Sequence, residues 1–307
     1  MQSFVIWLCL VGCCCGEWVP GTEQECREHL CTPVSNLTWR SGPPYASAQL
    51  CAALVGRIYR HISLYGDSFM RHLGLAMSMV LADRDNSSFS RKLSTCDGES
   101  VFDEKGCSIQ AASSLPAANT LCRGLVTLGY SGDYHQAHCT DPTVMLIFSG
   151  GNHPTGEVWG GIDDTINNAT AFSAFFKEES MICSVADIAV RNTTGCKIMF
   201  SSTHYSIDEF PMGPQKHEDV ESFNLGMRAW VESGGCGTTT VFGDVYNMTK
   251  ALVLGHFNES MRMTHDRMHW SRTVNMIKAH ILIRQFLDKT AREGGHSPHN
   301  VLGFRLV

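Results

Sequence analysis

The sequence predicts an α/β protein, a three-layer α/β/α domain on a mostly parallel, flavodoxin-like sheet. Three observations carry this. Short apolar runs alternate along the chain with helical stripes. Each run stops at Gly, Ser or Asp, residues that let a loop turn sharply. No repeat, low-complexity tract or long Pro/Gly/Ser linker divides the chain. Strand and helix in alternation indicate parallel strands with helices on both faces. In such sheets the ligand sits beyond the carboxyl ends of the strands. With 307 residues, 43% of them hydrophobic, the chain buries a full core, which excludes intrinsic disorder. The formal charge is −6, from 24 Lys and Arg against 30 Asp and Glu, and no segment concentrates the basic residues. That excludes a nucleic-acid footprint or a patch for anionic membranes.

In chain order, the opening run from Phe4 to Cys15 has the length of a signal-peptide h-region and is shorter than the ~20 apolar residues a bilayer span takes. Residues 1–16 are therefore expected to be a signal peptide cleaved after Gly16, and residues 17–45 a cysteine-bearing N-terminal segment. One domain is expected over 46–307. Its candidate strands are Arg60 to Tyr65 leading into Gly66, Leu125 to Leu128 into Gly129, Val144 to Phe148 into Ser149-Gly150-Gly151, Lys197 to Phe200 into Ser201-Ser202, and Thr239 to Phe242 into Gly243-Asp244. Between them, Phe69, Leu73, Ala76, Met77 and Val80 form one helical stripe. Val220, Phe223, Met227, Trp230 and Val231 form a second, and Val274, Ile277, Ile281 and Phe286 a third.

Fourteen cysteines stand in the chain, and four of them (Cys9, Cys13, Cys14, Cys15) fall in the leader. The remaining ten fit up to five disulfides. No CxxC pair follows the leader, so a zinc ribbon or thioredoxin-like redox site has no support. Sequons at Asn36, Asn86, Asn168, Asn192, Asn247 and Asn258 point the same way by independent chemistry. Leader, even cysteine set and sequons together predict a glycoprotein that is secreted or in the lumen of the secretory pathway, with no membrane span in the mature chain.

Three constellations carry chemistry. Gly66-Asp67-Ser68 closes the first strand, and the first helical stripe starts at once. Ser68 is thus expected at a strand-to-helix turn, its hydroxyl exposed and its N–H at a helix N-terminus that favours negative charge. Asp266-Arg267-Met268-His269 precedes the last helix and offers a base together with a carboxylate to orient it. After the most apolar strand, Gly150-Gly151-Asn152-His153 offers a close backbone approach and an amide that can donate to an oxyanion. The methionines of 70–79 and 261–276 fit core packing, and His72, His204 and His256 stand outside any ligand spacing and read as packing or surface residues.

With these residues in this order, the sequence resembles the SGNH (GDSL-type) hydrolases. More narrowly it is similar to the PC-esterase branch, which includes trichome-birefringence-like polysaccharide O-acetyltransferases and the sialate O-acetyltransferase catalytic domain. Gly66-Asp67-Ser68 extended to Arg71 as G-D-S-x-x-R, and Asp266-x-x-His269, carry the narrower match. Phe223-Asn224 and the run Val245-Tyr246-Asn247-Met248-Thr249 add to it, so that it spans about residues 46–290. The resemblance implies Ser68 as nucleophile, His269 as base and then acid, and Asp266 as orienter. It implies Ser68 N–H, Asn152 and a glycine as oxyanion donors, the glycine being Gly129, with Gly124 as the alternative. It leaves open whether Asn152 or His153 faces substrate, and whether Arg71 holds a substrate group or pairs with a buried acid. The implied reaction is acyl transfer through an acyl-serine, to water or a sugar hydroxyl, on an acylated carbohydrate such as an O-acetylated glycan, with no cofactor and no metal.

Two other readings compete. His265-Asp266-Arg267-Met268-His269 is H-D-x-x-H, a variant of a zinc motif that needs both histidines on one face of a helix. The alternative to an enzyme is a secreted, non-catalytic glycan-binding module on the same fold.

Overall fold

The computed structural model describes residues 16–27, 30–32, 35–40, 47–66, 68–81, 121–131, 142–149, 196–208, 217–234, 240–264 and 267–293. Within these, β3 (His61–Tyr65), β4 (Thr127–Ser131), β5 (Val144–Ser149), β6 (Lys197–Ser201) and β7 (Thr240–Gly243) form one sheet in the order β4-β3-β5-β6-β7. Every pair in it is parallel. Counting within the sheet, the order is 2-1-3-4-5, the flavodoxin-like arrangement, and the strand order reverses between β3 and β5.

Side chains alternate along each strand and so divide the core in two. Ile62, Leu64, Met145, Ile147, Met199 and Val241 face α2 (Ser47–Gly56), α3 (Ser68–Leu81) and α7 (Arg272–Glu293), where Leu54, Leu73, Met77, Ile277 and Leu282 complete one cluster. The intervening residues face α4 (His217–Glu232). There an aromatic column crosses the strands, Tyr65 against Phe148 (5.2 Å), Phe148 against Phe200 (5.6 Å) and Phe200 edge-on to Trp230 (5.0 Å). Strands covered on both faces read as continuous apolar runs, which is why Val144 to Phe148 shows no alternation of polarity. A three-layer α/β/α fold results.

The strands start and stop within two residues of their expected places except at β4. That strand runs through Gly129 to Ser131, with Gly129 in register with Ser63. Among the described residues β4 lies at the edge of the sheet, and its pairing with β3 carries through Gly129.

The N-terminal segment contacts the helices that follow β7. β1 (Glu17–Pro20) and β2 (Leu37–Arg40) form an antiparallel ribbon, with the short α1 (Glu23–Arg27) between them. Trp18 packs edge-on to Trp39 at 5.9 Å, and its Nε1 donates to Met248 O (2.9 Å) in α5 (Tyr246–Gly255). The buried Glu259 of α6 (Phe257–Ser260) accepts from the Ser35 amide and hydroxyl, bonds that hold its carboxyl below the usual range against the opposing effect of burial. Cys26 pairs with Cys31, and Cys51 of α2 with Cys122 in the turn before β4. Cys196 is also disulfide-bonded. Asn36, Asn247 and Asn258 are exposed, as glycosylation requires. Asn86, Asn168 and Asn192, and residues 1–15 of the expected signal peptide, lie outside the described residues. No helix among the described residues is long and apolar enough to cross a membrane.

Candidate active site

Ser68 is the first residue of α3, three positions past the end of β3. It sits at the carboxyl edge of the sheet, beside the point where the strand order reverses. Backbone puts it there, because β3 ends at Tyr65 and α3 begins at Ser68 itself. The first amides of a helix have no partner within it, so the Ser68 N–H belongs to a set of donors aimed out of the helix end. On the β4 side, Gly66 N donates to Ser131 O (3.2 Å) and Tyr130 Oη donates to Gly66 O (3.0 Å).

His269 arrives from 201 positions away, and its Nε2 lies 2.9 Å from Ser68 Oγ. Its loop is closed at the base by a bridge between Thr264 and Trp270 and by Ser271 N donating to Met263 O (2.7 Å). The imidazole packs against the helix that bears Ser68, with the Phe69 ring edge-on at 5.0 Å and the His72 ring at 5.1 Å. Both Ser68 and His269 are partly exposed.

The loop rests on the segment that follows β6, residues 202–208. Asn224 of α4 grips that segment from both sides: its Oδ1 accepts from Thr203 N and its Nδ2 donates to Thr203 O, each at 2.9 Å. Thr249 Oγ1 accepts from Tyr205 N (2.8 Å), and Ser202 Oγ accepts from the amides of Val245 and Tyr246 at the start of α5. So fixed, the segment holds the loop through His204 Nε2 to Met268 O (2.8 Å), Trp270 Nε1 to Tyr205 O (3.1 Å) and Ile207 N to Arg267 O (2.9 Å). His204 in turn lies against Phe69, with ring centroids 3.9 Å apart. Burial, then the neighbouring Lys278, pushes His204 well below the usual imidazole range, and burial does the same to the Lys278 amine.

Of the residues expected from sequence, Ser68 and His269 come together, and Arg71 stands partly buried on the first turn of α3. Asp266, Asn152, His153 and His265 lie outside the described residues. Both glycines offered as oxyanion donors are described. Gly129 is a strand residue two rungs below the end of β4, where a built Cβ would meet the His61 ring at 3.5 Å. Gly124 sits in the turn before β4, at the opposite edge of the sheet from Ser68. Part of the H-D-x-x-H segment is described. Arg267, between the two histidines, has a left-handed φ of 62°, and α7 begins only at Arg272.

His72 and His204, read from sequence as packing or surface residues, are buried against His269 and its loop. The signal that could have found them is a polar residue on an apolar face: His72 lies beside Leu73 in the stripe of Phe69 and Ala76. No protein-family model, curated protein or solved structure matches the chain.

Proposed function

We propose that this protein is a serine-dependent acyl-ester hydrolase or O-acyltransferase of SGNH type, acting on O-acetylated glycans in the secretory pathway or outside the cell. The observation that carries the reading is the 2.9 Å approach of Ser68 Oγ to His269 Nε2, at a helix N-terminus on the carboxyl edge of the sheet. The resemblance of Gly66-Asp67-Ser68-x-x-Arg71 and Asp266-x-x-His269 to the PC-esterase branch supplies the glycan substrate. The disulfides and the exposed sequons support the compartment.

With His269 neutral, Nε2 accepts the Ser68 proton while Oγ attacks the ester carbonyl carbon. The carbonyl π electrons move to oxygen, and that oxyanion faces the Ser68 N–H and, in this reading, Asn152. On collapse the ester C–O bond breaks and the departing alkoxide takes the proton from His269, leaving acyl-Ser68. Water or a sugar hydroxyl then repeats the sequence in reverse. Asp266 has the role of accepting from His269 Nδ1–H, which leaves Nε2 free to act as the base. The route needs no metal.

A fluorophosphonate probe tests the reading. Labelling of the wild type at Ser68, lost in Ser68→Ala and indifferent to chelator, is the expected result, with acetate released from an O-acetylated glycan in step. An unlabelled protein whose activity disappears with chelator would be a zinc hydrolase. One that is unlabelled and inert, yet retains glycans, would be a binding module.

A further inference from the structure

We propose that Lys278 is the positioning residue for His269, acting through His204 and Asn275 on the two carbonyls that flank it. The inference rests on the reading of Ser68 and His269 as nucleophile and base.

Hydrogen-bond directions follow from the far ends of the two arms. Met268 O can only accept, so His204 Nε2 carries the proton that reaches it at 2.8 Å. A neutral imidazole protonated at Nε2 presents Nδ1 as an acceptor, and Lys278 Nζ lies 3.0 Å from that atom. Trp270 O likewise only accepts, so Asn275 donates to it through Nδ2 at 2.7 Å and turns Oδ1 inward, 3.2 Å from the same Nζ. Met268 and Trp270 are the immediate neighbours of His269. The carbonyls before and after the candidate base are therefore held by an imidazole and an amide that converge on one buried amine.

The third side of Nζ faces the Trp270 ring, 5.9 Å from its centroid. Among the described residues no carboxylate pairs with Lys278, so this amine spends its donors on orientation and neutralises no charge. Lys278 is 3% exposed and sits on the second turn of α7, the helix that also packs on α3. One helix pair thus fixes both members of the Ser68–His269 contact, α3 by carrying Ser68 and α7 by holding the loop of His269.

The test is steady-state kinetics on an acetyl ester, together with the rate of fluorophosphonate labelling, for Lys278→Met, Asn275→Leu, His204→Gln and His204→Leu. Lys278→Met, near-isosteric and apolar, is expected to lower kcat and the labelling rate about 10- to 100-fold with KM unchanged, the scale of a misplacement of about 1 Å at a reacting group. His204→Gln keeps a donor for Met268 O and should retain more activity than His204→Leu. Combined with Lys278→Met, His204→Leu should add little, because both cut one chain of contacts. A folded Lys278→Met that labels within twofold of wild type overturns the proposal. If Lys278→Met does not fold, Asn275→Leu and His204→Gln each cut one arm, and normal labelling in both overturns it equally. The His269 ring resonances in the wild type and Lys278→Met give a readout independent of activity. A shift supports the positioning role even if the wild type fails to label and the reading of Ser68 falls, while an unchanged spectrum counts against it.

Discussion

Ser68 and His269 meet at one point but are held there by different means. Ser68 is placed by backbone: a five-residue strand ends at Tyr65, and a 14-residue helix begins at the serine itself. His269 is placed by side chains. Its loop hangs on His204, Tyr205 and Ile207, which hang on Asn224 and Thr249, while Lys278 and Asn275 grip it from α7. A nucleophile set by backbone geometry tolerates change around it. A base set by buried hydrogen bonds depends on each of them, since a buried polar group left without its partner costs roughly 1–3 kcal/mol.

The largest expected effect removes the contact itself. Ser68→Ala and His269→Ala should each lower kcat by about a thousandfold or more while leaving the thermal midpoint close to wild type. The double variant should be no worse than either single one, because the two groups act as a unit. Steady-state kinetics on an acetyl ester measure this, and additive losses would show that the pair does not act as nucleophile and base.

Next in size is the grip on the base side. Asn224→Leu leaves both Thr203 N and Thr203 O without their side-chain partner in a buried setting. It is expected to destabilise the fold by roughly 2–4 kcal/mol. The loss should show as a lower denaturant midpoint, with slower labelling of Ser68 in the fraction that remains folded. Normal labelling at reduced stability would mean that the segment after β6 supports the fold and not the base.

The buried amine also makes a prediction about pH. Burial holds the Lys278 pKa in the folded protein well below its unfolded value of about 10.4, so between the two the unfolded chain binds more protons. Stability from this group is therefore complete above the unfolded value and falls as pH drops through the window, by up to ~1.4 kcal/mol per pH unit. His204 has the same sign in a lower window, below about 6.5, where acid favours the unfolded chain. Lys278→Met should abolish the alkaline slope and keep the acidic one. Unfolding curves across pH 5–10 compare the two proteins, and parallel slopes would mean that Lys278 is charged in the folded state.

How much of this the sequence discloses follows the same division. The five strands, the three long helices and Ser68 depend on local pattern, so short apolar runs and a Gly-Asp-Ser before a helical stripe are enough to place them. β4 is the local exception. Gly129 reads as a stop, yet pairing with β3 continues to Ser131, because the ladder uses backbone groups that glycine also carries. The network around His269 joins positions 203, 204, 224, 249, 275 and 278, and no window of sequence spans those separations. One trace of it is local: Val274, Ile277, Lys278 and Ile281 fill the i, i+3, i+4, i+7 face of α7, and a lysine in such a stripe must either lie at the surface or find partners inside.

The smallest effect belongs to the nucleophile side and is the sharpest check on the contrast. Tyr130 Oη, donating to Gly66 O across 3.0 Å, is a side-chain contact from a neighbouring strand onto the turn that precedes Ser68. Tyr130→Phe removes only the hydroxyl. Because Tyr130 is partly exposed, water can take its place at the carbonyl, and the expected loss is about 0.5–1.5 kcal/mol of stability. Labelling at Ser68 should stay within about threefold of wild type, against the about 10- to 100-fold expected for Lys278→Met. A large loss in Tyr130→Phe would mean that the turn at Gly66 has no fixed course of its own. Ser68 would then need side-chain support as much as His269 does.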